Sequence, residues 1–126
     1  MRVTPLLILF AACEGGTGLL LLVWPSIVLV LIFGWHGATA ETLVMARVAG
    51  SGIGGLAVAS WVASRVTRAG TPGVVAGLLT YNVLAAAVLV LAGAGLGMVG
   101  IALWPAVVYH LALAVWCGAA RKAAGR

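Results

Sequence analysis

The stretch TPLLILFAACEGGTGLLLLVWPSIVLVLIF, residues 4–33, holds one charged side chain, Glu14, in thirty positions. A helix needs about 20 predominantly apolar residues to cross the hydrocarbon core of a bilayer. This run is long enough to cross once and too long for one straight span. Trp24-Pro25 divides it, because proline lacks a backbone donor and biases the residue before it away from helix. The reading is a first span over residues 4–24. A shorter apolar segment, 26–33, follows at the outer interface or continues the helix beyond a kink.

The rest of the chain repeats the pattern. Three further apolar runs, at about 42–63, 72–92 and 98–118, are separated by Gly34-Trp35-His36-Gly37, by Ser64 to Gly70, and by Gly93-Ala94-Gly95-Leu96-Gly97. Pro72 opens the third run, where the first turn of a helix tolerates it. The expected fold class is all-α: a polytopic membrane protein, a four-transmembrane-helix bundle forming a single domain over 1–126. Composition agrees. Of 126 residues, 64% are hydrophobic and 7% charged, and the mean hydropathy is +1.25. A soluble domain carries about a quarter charged residues, so lipid is the expected solvent for most of the outer surface.

The net charge of +5 does not point to nucleic acid, because no basic face is available in a water-soluble context. Arg2, Arg65, Arg68, Arg121, Lys122 and Arg126 all fall on one side of a four-span chain, and the other side carries only Glu41 and His36. Basic residues in short loops mark the cytoplasmic side, which predicts both termini inside. Arg2 with Val3 to Cys13 has the outline of a signal peptide, and Phe10-Ala11-Ala12-Cys13 that of a lipoprotein box. The charged region is minimal and the apolar run passes well beyond Cys13, so the segment reads as the first span. Cys13 and Cys117 have no metal or disulfide spacing and read as buried small hydrophobes.

Small residues mark expected helix contacts. Ala46, Gly50 and Gly54 recur at four-residue spacing, with Ser51 and Gly55 in a parallel row and Gly73 and Gly77 in the third span. Such rows let two backbones approach closely in lipid. An intrachain contact is the preferred reading of the second-span row, ahead of contact with another copy. Trp104-Pro105 repeats the Trp24-Pro25 pair and reads as a second kinked, interface-seeking helix.

Ionisable and strongly polar groups inside spans are costly and face a bundle interior or a cavity. At a rise of about 1.5 Å per residue, Glu14, Tyr81, Asn82 and His110 converge on one level near the bilayer midplane, and Arg47 lies nearer the outer face. Two readings stand side by side. In one, the cluster holds a small polar ligand or passes a proton between Glu14 and His110. In the other, Glu14 and Arg47 neutralise each other, and Tyr81, Asn82 and His110 pair with backbone or with one another to fix helix register. Arg47 is also long enough to snorkel outward toward headgroups and Glu41.

No phosphate-binding loop, nucleophile elbow or zinc-protease pattern occurs, and Gly50-Ser51-Gly52-Ile53-Gly54-Gly55 lies mid-span with no strand before it. His36 and His110 differ too much in depth to hold one haem iron within one chain. No catalytic residue, metal or cofactor is expected. Gly18 to Pro25 and Ala46-Arg47-Val48-Ala49-Gly50 resemble small four-helix bacterial inner-membrane proteins of the broad DoxX-like kind, many of them domains of unknown function. The resemblance covers about the first half of the chain. It implies a four-helix bundle in a bacterial inner membrane, and no site residues are carried over from it. The expected function is that of a non-enzymatic accessory or packing subunit of a membrane complex, or a self-associating homo-oligomer. The alternatives are an oligomeric, proton-linked carrier of a small solute, and a binder of lipid, quinone or pigment.

Overall fold

The computed structural model describes residues 3–66 and 71–124. Its helices are α1 (Val3–Val23), α2 (Pro25–Phe33), α3 (Ala40–Arg65), α4 (Thr71–Val90) and α5 (Leu103–Ala124), with a π-helical turn, Leu91–Gly95, extending α4. Four helical segments are long and apolar enough to cross a membrane: α1, α3, α4 with its π turn, and α5. Arg2, Arg68 and Arg126, three of the six residues used to orient the chain, lie outside the described residues.

The break after α1 falls where the proline places it. Trp24 leaves the helical region at φ −138° and ψ 62°, and Pro25 becomes the first residue of α2. Gly34 ends α2 in the left-handed conformation at φ 69°. Its N–H donates to the Val30 carbonyl at 2.8 Å and that of Trp35 to Leu29 at 3.4 Å, a glycine-terminated cap. Thr39 caps α3, accepting from the Thr42 N–H.

Helices α1 and α3 run antiparallel at backbone contact. A Cβ on Gly18 would lie 2.9 Å from the Gly50 carbonyl oxygen and 3.0 Å from the Gly54 nitrogen. One on Gly50 would lie 2.7 Å from the Leu21 Cβ and 2.8 Å from the Gly18 oxygen. The row Ala46, Gly50 and Gly54 therefore packs within the chain, against a glycine on α1. The other expected rows make no such close approach to another helix of the same chain. Gly55, Gly73 and Gly77 have open space where a Cβ would project, and Ser51 is exposed. Spacing fixes only that small residues share a face, not which face meets a neighbour.

Two apolar clusters flank the middle of the molecule. One joins Leu6, Leu7 and Phe10 of α1, Ala63 of α3, Val75 and Leu78 of α4, and Leu113 and Cys117 of α5. All four long helices thus meet at the end where α1 begins. The other joins Leu21, Leu29 and Ala46, with Val28, Phe33 and Leu43 packed against it. Cys117 is buried as expected, whereas Cys13 is exposed: only one of the two cysteines falls on an inward face.

The fourth span starts later than hydropathy alone suggests. Residues 96–102 are not helical, and α5 begins at Leu103. Gly100 is wedged against the C-terminal end of α2, where a Cβ would collide with the Ile32 carbonyl, and the Ala102 N–H donates to the Leu31 carbonyl at 2.8 Å. This long-range pairing takes the apolar residues Met98 to Ala102 out of the helix. It also changes the meaning of Trp104-Pro105, which opens a helix instead of kinking one. Pro105 sits in the first turn, where the missing N–H has no intrahelical partner to lose.

Glycines at close approach and glycines in open space make opposite predictions. Gly50→Ala and Gly100→Ala should each destabilise the fold by about 1–3 kcal/mol, the range of overpacking. Gly55→Ala and Gly77→Ala should be neutral or stabilise by up to about 1 kcal/mol, the helix-propensity gain of alanine over glycine. Unfolding in detergent by heat or by titration with a denaturing surfactant ranks the four.

Candidate functional site: a polar layer between two apolar clusters

The polar side chains of the middle level come from three helices. Glu14 is on α1, Tyr81 and Asn82 are consecutive on α4, and His110 is on α5. Glu14, Asn82 and His110 are all buried, at 4%, 0% and 7% exposure, which sets them apart from the exposed apolar residues of the same helices. Consecutive helical residues diverge by about 100°, so Tyr81 and Asn82 address different neighbours. The Tyr81 hydroxyl donates to Glu14 Oε2 at 2.8 Å, linking α4 to α1. Asn82 links α4 to α5: its Oδ1 lies 2.9 Å from His110 Nδ1. The same amide's Nδ2 donates to the Leu78 carbonyl at 2.8 Å.

This last bond settles the proton arrangement on His110. An amide has its donors on nitrogen and its acceptor on oxygen. With Nδ2 committed to the Leu78 carbonyl, Oδ1 faces the imidazole and Nδ1 must carry the donated hydrogen. In the neutral ring Nε2 is then the acceptor.

Aromatic edges close the layer. Tyr81 stacks edge-on against Phe10 with centroids 5.8 Å apart, and against His110 at 5.6 Å. Tyr109 also packs edge-on against His110, at 5.2 Å. Such pairs contribute about 0.5–1.5 kcal/mol beyond area burial and fix ring orientation. Tyr109 also lies beside Glu14 and Cys13, so the carboxyl is flanked by two phenols. Reading residue types at one depth singled out His110 and passed over its neighbour Tyr109. The missed signal was a phenol one position from an interior histidine, on a face turned about 100° from it.

Arg47 does not join this layer. Its Nε donates to the Leu22 carbonyl at 3.1 Å, with a longer contact from a terminal nitrogen to the Leu43 carbonyl at 3.5 Å. Leu22 is eight residues beyond Glu14 on α1, about 12 Å along the axis. The guanidinium is spent on the helix break, where the last carbonyls of α1 have lost their regular donors. Neither neutralisation of Glu14 nor pairing with Glu41 occurs among the described residues. Ser60 is a further buried polar residue, fully enclosed and donating to the Leu56 carbonyl of its own helix at 2.8 Å.

The layer offers chemistry of a limited kind. It has one carboxyl, one imidazole, two phenols and an amide. It has no nucleophile–base pair, and among the described residues no group of three His, Cys, Asp or Glu stands close enough to hold a metal ion. The polar groups bond mainly to one another and join three helices.

Double-mutant cycles measure these bonds. Glu14→Gln with Tyr81→Phe, and Asn82→Ala with His110→Ala, should each show coupling of about 0.6–1.7 kcal/mol, the range for interhelical polar contacts in membranes. Glu14→Gln with Arg47→Leu should be additive to within about 0.5 kcal/mol. Arg47→Leu alone should cost about 1–3 kcal/mol by stranding the Leu22 carbonyl.

No protein-family model matches this chain, and no curated protein or solved structure shows significant similarity to it.

Proposed function

We propose that this chain is a small non-enzymatic protein of a bacterial inner membrane, and that it works by helix association, as a packing subunit of a larger assembly or with copies of itself. In this reading the four apolar helices form a bundle with both termini in the cytoplasm. Arg65, Arg121 and Lys122 lie in the last turns of α3 and α5, in keeping with basic residues retained on the inner side. Arg65 stacks over Trp61 at 4.2 Å, and an indole near a basic residue suits a headgroup boundary.

The observation that carries the proposal is the coverage of α3. Only 17% of its most apolar stretch is buried within one copy. Its outer face presents Ser51, Gly55 and Ala59, exposed at four-residue intervals, a small-residue row of the kind that supports close helix approach. Glu14 is engaged with Tyr81 and Asn82 with His110, which leaves the helix exterior as the surface for association.

A second reading is proton-linked movement of a small solute. It draws on the buried Glu14 carboxyl, which bonds to Tyr81 and to no cation among the described residues. Four helices are few for a complete pathway, so this reading also requires an oligomer.

Native mass spectrometry in mild detergent separates the outcomes. The expected result is a defined multimer or a copurifying partner, reduced to single chains by Gly55→Leu without loss of thermal stability. A strictly monomeric particle with no partner contradicts the proposal. For the second reading, Glu14→Gln should abolish solute flux in proteoliposomes; unchanged flux removes it.

A further inference from the structure

Arg47 is the one charged residue of α3 that lies away from both ends of the helix, and it is exposed. A guanidinium carries five N–H donors in a planar fork. Nε donates to the Leu22 carbonyl at 3.1 Å, and one terminal nitrogen reaches the Leu43 carbonyl at 3.5 Å. The remaining N–H groups, on the terminal nitrogens, have no acceptor among the described residues. The charge lacks a partner as well. Both bonded carbonyls are neutral, and the chain has only two carboxyl side chains, Glu14 and Glu41. Glu14 is held by Tyr81, at a level about 12 Å away along α1. Glu41 lies about 9 Å nearer the start of α3 and about 120° around it.

Helical rise along three helices puts this cation at a membrane boundary. Arg47 lies about 27 Å along α3 from Arg65, Leu22 about 28 Å along α1 from Val3, and Trp104 about 27 Å along α5 from Lys122. A hydrocarbon core is about 30 Å thick. With Arg65 and Lys122 at one boundary, Arg47 stands within about 3 Å of the other. Trp24, two residues beyond Leu22, and Trp104 are 59% and 52% exposed, and exposed indoles gather at such a boundary. The contact with Leu43, one turn nearer the start of α3, turns the guanidinium toward the headgroups and away from the hydrocarbon. Long basic side chains on apolar helices keep their charge at that level.

We infer that Arg47 is a lipid-binding residue: its free terminal N–H groups hold the phosphate diester of a phospholipid in the leaflet at the Trp24 and Trp104 end. Parallel N–H groups of a guanidinium match two phosphate oxygens, and such charge-assisted bonds are about twice as strong as neutral ones. The Leu22 carbonyl takes Nε and so fixes the plane of the fork. A carboxylate from another protein would have to be carried into the membrane at its own desolvation cost, whereas every phospholipid brings a phosphate to this level. The site goes beyond the association proposed above and does not depend on it. It needs one copy and Arg47, whereas the association uses the exposed row at Ser51, Gly55 and Ala59.

The test uses the full chain, with ¹⁵N-labelled arginine and lysine, in phosphatidylglycerol vesicles. Solid-state spectroscopy reads the dephasing of side-chain ¹⁵N signals by lipid ³¹P. The Arg47 signals, assigned by their loss in Arg47→Gln and again in Arg47→Lys, should be dephased. Arg47→Lys keeps the charge and a donor for Leu22, so it carries the test if the glutamine variant does not fold. It adds a second Nζ signal to that of Lys122, the one lysine of the chain, and the new signal should be dephased as well. Arg47 signals untouched by ³¹P in these vesicles overturn the inference. In vesicles of a phosphate-free galactolipid, with millimolar inorganic phosphate in the buffer, the dephasing of Arg47 should be lost. Dephasing that persists there identifies free phosphate as the ligand and overturns the assignment to lipid.

Discussion

Backbone contact between Gly18 and Gly50 is the constraint on which the rest of the arrangement depends. Lipid removes most of the hydrophobic advantage of bringing two helices together, so close packing has to supply it. Two glycines facing each other allow α1 and α3 an approach at which any side chain would collide with backbone. That approach sets the register of α1 in the structure. With α1 held there, Phe10 and Glu14 are presented to α4, and Leu22 is presented to Arg47. A shift of one turn would move Glu14 by about 5.4 Å and separate it from Tyr81.

The polar groups then divide into two jobs at two levels. Around the middle, Glu14–Tyr81 and Asn82–His110 tie α4 to helices on either side, with aromatic edges fixing the rings. At the break between α1 and α2, Arg47 supplies a donor to a carbonyl freed by the loss of regular helix. Placing an arginine in an apolar helix is expensive, and a backbone carbonyl with no other donor is a partner that offsets the cost without a counter-charge. The break itself serves the far end of the chain: it allows α2 to turn and offer the Leu31 carbonyl to Ala102, so that α5 is docked before its first turn.

Much of this was legible in the sequence, and the illegible parts share a cause. Counting residues from the ends of apolar runs brought Glu14, Tyr81, Asn82 and His110 to one level, because helical rise is fixed and the spans are regular. The glycine row on α3 was legible as a shared face, since four-residue spacing has one geometric meaning, and the structure sets Gly50 of that face against Gly18. Its counterpart Gly18 appeared only as part of a resemblance, because a single glycine carries no periodicity. Gly73 and Gly77 share the same spacing on a face that meets no other helix within the chain. The start of α5 and the partner of Arg47 were hidden because both depend on how the chain turns at the break between α1 and α2. Apolar residues 98–102 look helical by composition, and only the approach of Ile32 to Gly100 takes them out of the helix.

The central claim is that the interior polar layer ties α1 to α4 and α4 to α5 through side-chain hydrogen bonds. Solid-state ¹⁵N spectroscopy of His110 in lipid tests this most directly. The account predicts a hydrogen on Nδ1, in dipolar contact with the Asn82 side chain and resistant to exchange with water. A hydrogen on Nε2 alone, or an Nδ1 hydrogen in rapid exchange with solvent and without contact to Asn82, would contradict it.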